Sequence, residues 1–107
     1  MIISTMNDMP GYRVTKVIGE VSGLTVRTRH IGAQIGAAFK AIGGGELKGL
    51  TLQLSQAREE ALERLTEEAT KLGANAVLAM RFDSNELQSQ FQEILAYGTA
   101  VVVEPIS

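Results

Sequence analysis

Hydrophobic and polar residues change rhythm several times along the chain, and each rhythm predicts an element. IIST, residues 2–5, reads as a short extended arm. Met9-Pro10-Gly11 reads as a turn, because proline presets φ and glycine accepts positive φ. YRVTKVIGEVSGLTV, residues 12–26, is rich in β-branched side chains and predicts a strand. Its apolar residues fall on both parities, Val17 and Val21 on one, Val14 and Ile18 on the other. Such a strand is either covered on both faces or bent by a bulge at one of its glycines. In HIGAQIGAAFKAIGGG, residues 30–45, Ile31, Ile35, Ala38, Phe39 and Ile42 recur at helical spacing. A short helix ended by Gly43 is expected there. Its Gly32 and Gly36 permit close approach to another backbone, within the subunit or between subunits.

A long helix is predicted from about Glu46 to Leu72. Leu54, Ala57, Ala61, Leu65, Ala69 and Leu72 form its apolar face, and Glu59, Glu60, Glu63, Arg64, Glu67 and Lys71 the polar one. Glu60–Arg64 and Glu67–Lys71 stand in the favourable i,i+4 order, and Gly73 is placed to close the helix. ANAVLAMRFD, residues 74–83, then predicts a strand with Ala76, Leu78, Met80 and Phe82 facing one way and Val77, Ala79 and Arg81 the other. SNELQS, residues 84–89, reads as a polar connection, and FQEILAYGTAVVVE as a last strand stopped by Pro105. The expected fold class is therefore α+β in one domain, residues 1–107. One long helix packs on a small mixed sheet with an additional short helix, in the order β-α-α-β-β. One helix covers one sheet face, so the second face and an edge such as GTAVVV need another cover, and self-association is the simplest.

Composition narrows the function classes. The chain has 107 residues, 45% of them hydrophobic and 21% charged, and a formal net charge of −2. Nucleic-acid binding asks for clustered cations, and only Arg27, Arg29 and His30 gather here, so none is expected. There is no cysteine, which excludes disulfides, thiolate nucleophiles and Cys-based metal centres. MIISTMNDMP has neither a basic nor a long apolar stretch of a secretory signal, and no run is long enough to span a bilayer. A cytoplasmic protein without membrane contact is the expectation.

Candidate chemistry concentrates in GGGELKGL, residues 43–50. A phosphate loop needs Gly-Lys followed by Ser or Thr after a strand, whereas here Lys48-Gly49-Leu50 follows a predicted helix. The glycines read as a helix–helix turn. Backbone amides ahead of the long helix remain an anion candidate, with Gly44, Gly45, Glu46 and Lys48 around it, although Glu46 already brings negative charge there. Catalysis has little to work with. A Ser-His-Asp arrangement would need His30, and the glutamates of the long helix read as a solvated face. No enzyme is expected. Arg58 lies beside the apolar stripe, where a guanidinium can pair with a carboxylate, Asp83 or Glu93 being candidates, or hold a ligand.

PGYRVTKVIGEVSGLTV, IGGGELKG, AREEALERLTEEATKLGANAV and YGTAVVV, taken in that order, resemble the YbjQ family of uncharacterised bacterial and archaeal proteins. The resemblance runs from Thr5 to Val103 and rests most on GGEL, LGANAV and YGTAV. It implies a small α+β subunit that assembles into a homopentameric ring, under a heavy-metal-binding label and with no established activity to transfer. Tested against the residues, that label meets one imidazole, His30, and methionine thioethers, where a soft metal prefers thiolates. A ring could still gather one His30, or one Glu46, from each chain at subunit junctions. A metal ion is the one cofactor candidate.

Overall fold

The computed structural model describes residues 1–28, 48–88 and 91–106. They form strands β1 (Ile2–Ile3) and β2 (Tyr12–Thr28), helix α1 (Lys48–Lys71), and strands β3 (Ala76–Leu87) and β4 (Phe91–Pro105). The four strands make one mixed sheet in the order β1-β3-β4-β2. β1 runs parallel to β3, whereas β4 is antiparallel to both β3 and β2. The class is α+β with a long helix on a mixed sheet, as expected. The order of described elements is β-β-α-β-β rather than β-α-α-β-β, because the N-terminal arm is itself a strand. The short helix expected between Ile31 and Ile42 lies outside the described residues.

α1 forms where the helical pattern predicts it. Ala57, Ala61, Leu65 and Ala69 are fully buried, with Leu54 partly buried beside them. Small side chains at three of these positions let the helix axis come down close to the sheet. Gly23 of β2 completes the approach. A Cβ there would stand 2.1 Å from the Ala61 carbonyl oxygen and 2.4 Å from the Leu65 nitrogen, so only glycine fits. The far end of α1 closes on Gly73, with φ 87°. The Ala74 amide donates to the Ala69 carbonyl and the Gly73 amide to that of Thr70, a Schellman closure. Leu72 lies in this turn, beyond the last helical residue, and is exposed rather than part of the buried stripe. Lys71 pairs with Glu68 at 3.1 Å rather than with Glu67.

The sheet departs from simple alternation at bulges. Leu78 faces Thr99 but Arg81 faces Tyr97, so β3 carries one extra residue there, and Ala79 takes φ 53°. The extra residue reverses parity. Ala76 and Leu78 face away from α1, whereas Met80 and Phe82 pack against the core beneath it, correcting the single face predicted for all four. Gly98 sits opposite, and a Cβ on it would meet the Val77 side chain at 2.7 Å and the Leu78 carbonyl at 2.9 Å. β2 has two further shifts, at Val14/Lys16 and Val17/Gly19, which explain its mixed parity. SNEL is not a connection either. β3 runs through it to Leu87, which faces Phe91 in β4.

A second, smaller cluster covers part of the outer sheet face, the face away from α1. There Met9 packs with Ala76, Leu78, Val101 and Val103. The predicted turn at Pro10-Gly11 holds it in place, the Tyr12 amide donating to the Met9 carbonyl at 2.9 Å. Asn75 extends the ladder with its side chain: Nδ2 donates to the Val103 carbonyl at 2.9 Å, and Oδ1 accepts from the Val103 amide at 2.8 Å. GTAVVV is therefore interior, since β4 lies between β3 and β2. Among the described residues β2 is an edge strand.

Candidate functional site

Two features of the described residues stand out from the packed core. The first is a cavity of about 320 Å³ between the N-terminal half of α1 and the distal half of the β3–β4 hairpin. Thr51, Leu54, Ser55 and Arg58 line it from the helix. Phe82, Ser84, Gln92 and Ile94 line it from the sheet. The Arg58 guanidinium carbon lies 5.2 Å from the centre of the Phe82 ring, within cation–π range. Gln92 Nε2 donates to Ser84 Oγ at 2.9 Å, which fixes the polar wall opposite the helix. Asp83 reaches the rim, but alternation along β3 turns its carboxylate to the outer face, where Asp83 stands opposite Leu95.

Arg58 accordingly does not form the ion pair expected of it. Asp83 Oδ1 accepts from the Ser84 amide, and Glu93 accepts from Asn85 at 3.4 Å. The platform under Arg58 is aromatic, and pattern reading missed it because the β3 bulge carries Phe82 to the helix side. A signal was present in the sequence. The helical neighbours of Arg58 at three and four residues are Leu54, Ser55, Ala61 and Leu62, none of them acidic. Arg64 differs: it pairs with Glu60, which also takes Arg27 of β2 at 2.7 Å, and its other arm donates to the Leu24 carbonyl. Of the other candidates, Lys48 opens α1. Gly44, Gly45, Glu46 and His30 lie outside the described residues.

The second feature is the outer face of β2. Partners directly opposite share a face, so Val14, Val17 and Leu24 lie on the side of Val103, Val101 and Leu95, and Val26 on that of Glu93. Val17 is 66% exposed, Val26 49% and Leu24 42%. β2 is also the sheet's edge, with no strand beyond it among the described residues.

A family model described as "Putative heavy-metal-binding", YbjQ, matches residues 1–104. The chain belongs to the YbjQ family. A UPF0145 protein of Mycobacteroides abscessus is 57% identical over 106 residues, covering 99% of both chains. Another, from Thermotoga maritima, is 53% identical over 106 residues, covering 99% of this chain and 100% of its own. Neither name states a catalytic function. A crystal structure of a protein of unknown function of the DUF74 family from Pediococcus pentosaceus superposes with a TM-score of 0.67 at 17% identity, covering 97% of this chain and 98% of that one. That likeness speaks for the fold.

The metal in the YbjQ description can be set against the donors. Soft cations bind thiolates and imidazoles. The chain has no cysteine and one histidine, and among the described residues no group of three or more His, Asp or Glu stands close enough to hold a metal. Met9 is buried in the smaller cluster and Met80 packs against the larger one. The described residues do not fit a heavy-metal centre. Among them, no helix is long and apolar enough to cross a membrane.

Proposed function

We propose that this YbjQ-family chain is a non-enzymatic, cytoplasmic subunit that self-assembles into a closed ring, with five copies as the family resemblance implies. The supporting observation is the outer face of edge strand β2, where Val17, Leu24 and Val26 remain exposed. Exposed apolar side chains on a long open edge are a surface that a second chain hides well. The opposite side of the sheet favours a ring over a two-fold dimer. β1 pairs with β3 only at Ala76 and Val77, and the segment after it takes backbone hydrogen bonds from Ala79 and Met80 and a side-chain one from Arg81, none from further along β3. Among the described residues no strand pairs with the distal part of β3 on the side away from β4, so the sheet offers a second edge opposite β2. Two different surfaces on opposite sides join head to tail, and such contacts close into rings when the rotation per step allows.

The test is light scattering coupled to size exclusion on the intact chain. A mass of several chains at micromolar concentration is expected, falling toward one chain in Val17→Asp combined with Leu24→Asp. A single-chain mass for the unaltered protein overturns the proposal. So does a double variant that keeps the assembled mass.

A further inference from the structure

We infer that the cavity beside Arg58 is a binding site for a small organic carboxylate. The cavity is about 320 Å³, at the lower end of the range for small-molecule sites. Arg58 is the cation directed at it, and among the described residues it carries no ion pair; its partner is the Phe82 ring. Arg64 and Lys71 of the same helix are both engaged by glutamates, whereas Arg58 has neutral neighbours one turn away in each direction. A guanidinium stacked on a ring has one face covered and its in-plane N–H groups left to donate. Those groups form the planar fork that matches a carboxylate. The site therefore supplies a positive charge that no carboxylate among the described residues pairs with; Asp83, the one acid of the lining, stands at the rim with its Oδ1 accepting from the Ser84 amide.

The remaining lining determines what accompanies the carboxylate. Leu54, Phe82 and Ile94 give an apolar floor for a flat or short aliphatic body, and the Gln92–Ser84 pair gives a polar wall across from the helix. A free inorganic anion would use the charge and leave the floor empty. Arg58 itself is exposed, so the ligand enters from solvent at the guanidinium end. This site lies on the other side of the sheet from the outer face of β2, and Phe82 and Ser84 set it beside the distal part of β3.

The probe is benzoate, titrated against the intact chain with methyl labels read at Leu54 and Ile94. Benzamide, inorganic phosphate and the Arg58→Met variant are the comparisons. Benzoate is expected to shift both methyls saturably, and benzamide and phosphate to bind about tenfold more weakly, the factor set by losing a charge-assisted pair of roughly 1.4 kcal/mol. Arg58→Met keeps the aliphatic stem over Phe82 and should fold, yet lose benzoate binding by a similar factor. Benzoate binding unchanged in Arg58→Met, phosphate binding as tight as benzoate, or no shift at either methyl overturns the inference. The mass of the same samples reports separately on assembly.

Discussion

Thr25 is 2% exposed, and its Oγ1 has no hydrogen-bond partner. Directly opposite it across the ladder stands the apolar Ile94. A buried hydroxyl without a partner has lost its water and gained nothing in exchange. Thr25→Val keeps the β-branched shape and removes the oxygen, so it should raise stability by about 1 kcal/mol in urea unfolding. A loss of stability would mean that the hydroxyl has a role the contacts do not express. Threonine is polar in any pattern reading, and β-branching made it fit the strand, but neither property revealed its burial. Arg58 illustrates the same gap from the other side. Its lack of acidic neighbours was visible in the sequence, whereas its aromatic platform came from a residue twenty-four positions away, across a bulge.

At the scale of elements, the contact between α1 and β2 depends on what is missing from both. Ala57, Ala61 and Ala69 leave the helix surface low, and Gly23 leaves the strand surface flat. Gly23→Ala would press a methyl into backbone atoms of the helix, which cannot rotate away as a side chain could. The expected cost is about 3 kcal/mol, read as a lower urea midpoint with unchanged slope. A variant as stable as the parent would show that helix and strand stand further apart than described. The small-residue stripe on α1 was legible because its spacing is helical. The matching position on β2 was not, since YRVTKVIGEVSGLTV holds two glycines, Gly19 and Gly23, and only the docking of the helix distinguishes Gly23. Bulges were legible only as mixed parity, because an extra residue in one strand is defined by its partner's register.

At the scale of the molecule, β2 is unusually long, at 17 residues, and extends past the end of the helix, where residues 12–17 are all exposed. A strand of that length spans about 56 Å, and the longest dimension of the chain is 57 Å. The radius of gyration is 17.3 Å, against about 13 Å for a compact domain of this length. If copies of the chain cover the edge at β2, as proposed, each copy is stabilised by its neighbours, so the melting temperature should rise with protein concentration. Melting curves over a hundredfold dilution series check this. A melting temperature independent of concentration, in a range where light scattering shows dissociation, would mean that each chain is stable without its neighbours.

The sequence by itself determined the long helix and the cores of strands β2, β3 and β4, which helix face is apolar, where α1 ends and which family the chain resembles. Those properties rest on local spacing and on residues whose preferences act within a few positions. Tertiary structure alone decided that Phe82 lies under Arg58, that GTAVVV is interior while β2 is the edge, and that Gly23 is the point of closest approach. Each of these depends on the register between strands distant in sequence, and a single inserted residue in one strand changes which side chains meet.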